Sequence, residues 1–386
     1  MKKFQSIPCF LVLTLTLIFL TSCGEKELKE EYPAEISIVE GVKKVSNPVF
    51  PKQGTVHYLM EEELSIGVME GDEEYMLNQP QEIKIDQNGN IYVLDWGDAC
   101  INVYDENGIY LRTIGQKGQG PGEFDTPAYY DLSSDGRIFL MDQRNRRVVI
   151  FDVQGEYSGG FRLEGVHLGM KTDAQNRIYF EKEIRRESPA DLPVTKDFQE
   201  IEVVNQIIRC RPDSSDRFVF GEFEGEKDRI KKMKTGGVMT TGSKYNIVWD
   251  VTANGMMYEG LNDLYEINVF DTNGTKVRTF SREYEPVVQE IIRDGEVVTK
   301  ITRPAYDPRK GFEFDGEGNI WVAFYSEDLD ENVYDVFSPD GIYIRQVIVP
   351  HRIFEFFEGK VYSIVTTEEE FRQVKRFKLV NPEGTG

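Results

Sequence analysis

Histidine is scarce in this sequence, three residues in 386 at His57, His167 and His351, and none has a partner at HxxxH or HxH spacing, the usual mark of a zinc site. GxSxG elbows, P-loops and GxGxxG runs between a strand and a helix are missing too, which removes the common signatures of α/β-hydrolases, nucleotide hydrolases and dinucleotide enzymes. The apolar run Phe10 to Leu20 has only eleven residues; as a helix it rises about 16 Å, half of a bilayer core of roughly 30 Å. Positive charge is in deficit, with 45 Lys and Arg against 67 Asp and Glu for a net charge of −22. That balance argues against nucleic-acid phosphates and anionic headgroups as partners, since both are held by clustered cations. Cysteine is limited to Cys9, Cys23, Cys100 and Cys210.

The chain begins with an address. Lys2 and Lys3, the apolar run and Leu20-Thr21-Ser22-Cys23 follow the order of n-region, h-region and small-residue cleavage site. LTSC resembles the bacterial lipobox, which implies removal of residues 1–22 as a signal peptide and acylation of Cys23; several acyl chains on one residue anchor stably where one is marginal. The remaining 386 − 22 = 364 residues carry 43 − 67 = −24 charges. Residues 23–50 are expected to be the lipidated Cys and a flexible tether, opening with the polar stretch GEKELKEEYPAE. Its acidic residues, interrupted by Gly24 and lysines, resemble the surface-export signal of Bacteroidota lipoproteins. The expected location is the cell envelope, as an outer-membrane lipoprotein either facing the periplasm or at the cell surface, touching the membrane only through the lipid.

Self-similarity organises the rest. IKIDQNGNIYVL at 83–94 returns as YDLSSDGRIFLM at 130–141 and FEFDGEGNIWVA at 312–323, with weaker copies at 170–181, 249–260 and 356–364. Each is a strand, an Asp/Asn/Gly turn and an alternating strand. A second strand–turn–strand pattern follows most copies, as in INVYDENGIYLRTI at 101–114 and INVFDTNGTKVRTF at 267–280. Taking Gly89, Gly136, Asn176, Gly255, Gly318 and Gly359 as equivalent gives spacings of 47, 40, 79, 63 and 41 residues; a four-stranded blade takes about 40 to 50. The long spacings require insertions, at 184–200 and 224–244 around blade three and at 281–308 as a hairpin after blade four. LSIGVMEGDEEYMLNQP at 64–80 copies the end of blade one, LRTIGQKGQGPGEFDTP. A fourth-strand equivalent therefore precedes the first full repeat, while residues 351–380 supply only three strands. The fold class expected is all-β, a six-bladed β-propeller of four-stranded antiparallel blades over residues 51–386, closed by the N-terminal strand joining the C-terminal blade. In that register Cys100 and Cys210 lie two blades apart, roughly 20 Å at about 10 Å per packed sheet, too far for a disulfide. The Gly-rich GQKGQGPGEF run precedes a strand rather than a helix, and is read as an inter-blade connection rather than a phosphate loop.

IDQNGNIYVLD, INVYDENGIYLRTIG and GQGPGEF resemble the NHL-like six-bladed propellers, most closely the six-bladed β-propeller lipoproteins of Bacteroidota, over about residues 55–380. The resemblance carries no catalytic residues and implies no cofactor. The function expected is a membrane-anchored, monomeric binding or scaffold module for a protein, peptide or glycan. Its ligand would sit on the end of the ring that receives the insertions. Candidate contacts there are Trp96 and Asp98, Arg144 and Arg146, Asp263, and Tyr325 and Glu327, a mixture of aromatic, guanidinium and carboxylate groups. Arg144 and Arg146 also suit simple pairing with the acidic surface, Trp321 suits the core, and Trp249 suits inter-blade packing or channel lining. The alternative is a calcium-dependent lactonase or esterase, as some six-bladed propellers are, with Asp131, Asp250 and Asp263 as hard oxygen ligands in the central channel.

Overall fold

The turn within each repeat sets its local structure. Gly89, Gly136, Gly255, Gly318 and Gly359 all have φ between +73° and +81°, and Asn176 takes the same role at +59°; this left-handed region is open to Gly and tolerable for Asn. Upstream aspartates close such turns with their side chains. Asp86 Oδ1 accepts the backbone N–H groups of Asn88 and Asn90, each at 2.9 Å. The same pair of bonds recurs at Asp105, Asp152, Asp173, Asp271 and Asp315. An Asp here offers the backbone a local partner that a continuing strand would not, so the chain reverses.

The computed structural model describes residues 32–186, 193–194, 198–224, 228–232, 238–241, 247–261, 264–285, 288–293, 296–302, 311–324, 331–382 and 384. Six antiparallel sheets follow one another along the chain. Blade one is Pro80–Ile85, Ile91–Asp95, Cys100–Tyr104 and Tyr110–Ile114, and blade two is Pro127–Leu132, Ile138–Asp142, Arg147–Phe151 and Tyr157–Arg162. Blade three is Val166–Thr172, Ile178–Arg185, Val203–Cys210 and Phe218–Glu224; blade four is Ile247–Val251, Met257–Leu261, Glu266–Phe270 and Lys276–Arg282. Blade five is Phe312–Phe314, Ile320–Phe324, Asn332–Phe337 and Tyr343–Val349. Blade six takes Glu355–Phe357, Lys360–Thr366 and Arg372–Val380 from the C-terminus and its fourth strand, Leu59–Ile66, from the N-terminus, paired antiparallel from Ile66↔Val374 to Leu59↔Val380. The first strands of consecutive blades touch all the way round, including blade six against blade one. The chain is a closed six-bladed propeller.

Its apolar core is divided among the blade interfaces. Six buried clusters each join two adjacent sheets, for example Leu94, Ile101 and Val103 of blade one with Tyr130, Leu140 and Phe151 of blade two, and Ile83, Val93 and Tyr104 of blade one with Tyr362 and Val374 of blade six. Trp321 packs as expected, buried at 4.9 Å from the Phe356 ring between blades five and six. Cys100 and Cys210 are buried free thiols of blades one and three.

Two features depart from the sequence reading. The stretch 23–50 is not tether throughout: Glu35–Val39 and Val42–Asn47 form a hairpin whose second strand pairs parallel with the outer strand of blade four, and Thr55–His57 adds likewise to blade five. The N-terminal segment thus runs along the outer edges of blades four, five and six. Asn47 fixes it, donating to the carbonyls of Ser281 and Gly341, both at 2.9 Å, and accepting the Tyr343 N–H. The insertions around blade three are not irregular throughout either. Gln199–Ile201, Asp228–Lys232 and Val238–Thr241 form one three-stranded sheet, with Ile201 packed on Ile230. Val288–Arg293 and Glu296–Thr302 are the hairpin expected after blade four.

Candidate binding site in the channel and on the inserted end

First strands line the axis, and their alternation puts every second side chain into the channel. Five residues before the turn residue of blades one to five stand Lys84, Asp131, Lys171, Asp250 and Glu313; blade six, whose turn is shortened, supplies Glu355 four residues before Gly359. One cavity of about 320 Å³ touches all six of these side chains. A second, of about 190 Å³, shares Lys84, Lys171, Asp250 and Glu313 and extends toward the starts of the first strands, past Glu82, Tyr129, Trp249, Arg352 and Phe354. The charged ring therefore separates two chambers. Strand order places the second chamber at the end that carries the loops between strands two and three and the connections between blades, hence the insertions.

The ring is mostly paired. Lys84 Nζ lies 3.1 Å from Glu355, and Lys171 Nζ lies 2.7 Å from Asp250. Asp131 Oδ2 accepts the Thr172 N–H at 2.6 Å and its hydroxyl at 2.9 Å. Burial works against the ammonium groups more than any one neighbour helps them, but the surrounding acids together, Glu355 foremost at Lys84 and Asp250 at Lys171, hold both lysines above their ordinary range. Glu313 has no such partner among the described residues. Burial pushes its carboxyl up to about 8 against the pull of Lys171 and Lys84, with Glu355 and Asp250 adding to the rise. Burial also raises Glu82, and raises Glu181 to about 7 although Trp249 Nε1 donates to it at 2.8 Å. Trp249 thus both packs between blades three and four and lines the channel.

Sequence reasoning placed the binding candidates on loops instead. Trp96 is exposed, 40%, in the loop after the second strand of blade one; Asp98 beside it accepts from Asn78 Nδ2 at 2.9 Å. Arg144 pairs with Asp125 at 3.2 Å, the surface pairing anticipated for it. Arg146 lines a separate cavity of about 230 Å³ with Gln143, Leu163 and His167. Asp263, Tyr325 and Glu327 lie outside the described residues. Of the calcium candidates within the described residues, Asp250 pairs with Lys171 and Asp131 accepts from Thr172. Among the described residues no group of three or more His, Cys, Asp or Glu is arranged to hold a metal ion. His167 does not reach the channel; it is buried against Phe180 at 5.1 Å. The GQKGQGPGEF run closes on itself: Glu123 accepts the Gly120 N–H and the Gln116 side chain, each at 2.9 Å, filling with its own carboxylate the place a phosphate would need.

Residues 63–207 match a family model described as a 6-bladed beta-propeller. Over 89 residues the chain is 32% identical to human NHL repeat-containing protein 3, a match that spans 22% of this chain and a quarter, 25%, of that protein's length. Among solved structures it resembles a member of the duf4221 family from Bacteroides vulgatus, with a TM-score of 0.56, 13% identity and 86% and 100% of the two chains covered. It also resembles a Bacteroides fragilis protein, with a TM-score of 0.50, 11% identity and 85% and 99% covered. At such identities the solved structures share the fold and nothing further.

Proposed function

We propose that the chain is a binding module anchored in the cell envelope through Cys23, and that it receives a protein, peptide or glycan ligand at the inserted end of the ring, over the channel mouth. The observation that carries this reading is the joining of two insertions, which flank the third and fourth strands of blade three, into one sheet, with strand order putting both at the end of the ring toward which the channel chamber extends. Loops free of any role need not pair across 27 residues, the separation of Ile201 from its partner Asp228; loops that wall a site gain rigidity by doing so. Trp96 supplies an exposed aromatic on the same end, the residue type that dominates binding energy at interfaces. The location is proposed to be the outer membrane, on its periplasmic or outer surface.

Cross-linking the chain in membranes and identifying captured partners, with wild type beside a Trp96→Ala/Arg144→Ala double variant, tests the site. A partner captured by wild type and lost by the variant supports it, and equal capture removes those residues from the interface. Cys23→Ser is expected to leave the exported protein in the soluble fraction; retention in membranes would contradict the anchor.

A further inference from the structure

The cavity that holds Arg146 lies on the inserted end, where blade two passes to blade three. Its mouth is polar and exposed, formed by Gln143 and Arg146 from the turn after the second strand of blade two and by Gly165 from the connection between the blades. Its floor is closed: Met141 is 0%, Leu163 6% and His167 5% exposed. Among the described residues no acid lines it, in a chain with 67 of them. Arg146 makes no ion pair or side-chain hydrogen bond among those residues, whereas Arg144 and Arg147 on either side are paired with Asp125 and Asp142. Lys182, whose Cε stands 3.3 Å from the place of a Cβ on Gly165, has no carboxylate partner among them either. Glu164, the nearest acid in sequence, is exposed and is not one of the groups acting on His167. Those groups are Lys182, the Gly165 backbone and Arg217; burial and the two cations drive the imidazole down to about 4. The ring is therefore neutral at pH 7, with one N–H and one bare nitrogen. The Gly165 backbone favours the protonated form, as a carbonyl taking the N–H does. The bare nitrogen, an acceptor, has no partner among the described residues, although the ring is more than nine-tenths buried and lines the cavity. A ligand N–H would remove the cost of that unmade bond.

We propose that this cavity is a subsite for the C-terminal residue of a peptide: Arg146 takes the terminal carboxylate, His167 accepts the amide N–H of the same residue, and Met141 and Leu163 receive an apolar side chain. This deepens the binding reading above and rests on it for the source of the peptide. A chain terminus carries its carboxylate and its amide N–H on one Cα, and the cavity offers one uncommitted cation and one uncommitted acceptor on its wall. The guanidinium fork suits a carboxylate in particular, since it can donate two parallel bonds. The volume of about 230 Å³ admits one residue and no folded element. Gln143 holds the wall in place, its Nε2 donating to the His167 carbonyl at 3.1 Å and so tying the turn of blade two to the first strand of blade three. A sugar acid has the carboxylate too, but it would set hydroxyls against Met141 and Leu163, where they lose water and gain no partner.

The probes are Nα-acetyl-leucine, its amide, which lacks the charge, and Nα-acetyl-N-methyl-leucine, which lacks the N–H. Each is titrated at pH 7 into the full chain carrying isotope-labelled histidine and followed by NMR. Three histidines keep the spectrum simple, and the spectrum of His167→Phe assigns the ring. Wild type is expected to bind Nα-acetyl-leucine saturably with a Kd of about 1 mM, as a single charge-assisted contact gives, moving the His167 signals and leaving those of His57 fixed. The amide and the N-methyl probe are each expected to bind about ten-fold more weakly or worse. Arg146→Gln, at an exposed position that leaves the core alone, is expected to lose about ten-fold for Nα-acetyl-leucine and nothing for its amide. Unmoved His167 signals with Nα-acetyl-leucine, equal affinity for all three probes, or tighter binding of a methyl glucuronide overturns the subsite. Loss of the subsite leaves the module reading intact if a partner is still captured in a Trp96-dependent way. Binding of Nα-acetyl-leucine without any captured partner does the reverse.

Discussion

Asp335 offers the sharpest test of how the blades are held to one another. It is fully buried, and its carboxylate takes five donors: Arg282 Nε and Nη2 at 2.8 Å each, the hydroxyls of Tyr265 and Tyr343 at 2.6 Å each, and Gln346 Nε2 at 3.1 Å. Arg282 and Tyr265 come from blade four and Asp335 from blade five, so the network crosses the interface. The guanidinium is also enclosed by the rings of Tyr265, Phe324 and Tyr343, at 4.6, 4.7 and 5.2 Å. Asp335→Ala strips the counter-charge from a guanidinium that water reaches poorly. Breaking a buried pair from one side costs about 3–5 kcal/mol. The compact unit Pro33–Gly386 has 386 − 32 = 354 residues, and at about 2.1 cal/mol/K per residue its unfolding entropy is roughly 0.7 kcal/mol/K, so Tm should fall by about 4–7 °C. Arg282→Met combined with Asp335→Leu removes both charges, and should recover at least half of that loss. Thermal unfolding followed by circular dichroism reads both values. A drop below 1 °C for Asp335→Ala, or a double variant as unstable as the sum of its single variants, would refute the view that the unpaired charge is what costs.

Buried carboxyls whose folded pKa is raised stabilise fully below the unfolded pKa and lose that contribution as pH rises through the folded one. Urea midpoints should therefore fall between pH 5 and pH 8 through Glu181 and Glu259 at about 7 and Glu313 at about 8, and Glu313→Gln should flatten the alkaline part. Burial, aided by Lys182, drives His167 down to about 4; stability present above pH 6.5 should then be lost toward pH 4, and less so in His167→Phe. Glu313→Lys restores an alternating ring and should raise Tm; a fall would mean that Asp250 and Glu355 do not act on position 313. Burial pushes the thiols of Cys100 and Cys210 up to about 12 and about 11, so neither should react with an aromatic disulfide reagent at pH 8 until urea unfolds the chain, as read by mass mapping. Gly115→Ala places a Cβ 2.2 Å from Phe124 Cε1 at φ +76°, and should cost about 2–5 kcal/mol from backbone strain and overpacking together, whereas Gly41→Ala, with nothing within 4 Å, should cost only the strain of about 1–2 kcal/mol.

The fold was legible where its causes are local. A turn needs Gly or Asn at one position and Asp a few residues before it, and both requirements repeat visibly at Asp86–Gly89, Asp173–Asn176 and Asp315–Gly318. Closure was legible for the same reason, since the N-terminal strand copies the fourth strand of a blade and its neighbour segment. The hairpin at 35–47 was not. Its first strand is exposed at every position, and the second is held by backbone pairing to residues more than 230 positions away and by Asn47. Polar composition looks the same whether a segment is solvated or stitched to an outer edge, because edge pairing uses main-chain groups that every residue has.

The channel ring shows the opposite case, in which the signal stood in the sequence but its meaning depended on topology. A charged residue five positions before the turn recurs in five repeats, yet at an alternating strand position such a residue ordinarily marks the solvent face of a sheet. Only the closed ring turns that face inward and makes Lys84 and Glu355, 271 residues apart, neighbours at 3.1 Å. Glu313 stands where it does because blades four, five and six follow one another, with Asp250 and Glu355 on either side. The same closure that removes the free sheet edges therefore brings Lys84 to Glu355 and leaves Glu313 without such a partner among the described residues, and attention given to exposed loops such as Trp96 could not have found that ring.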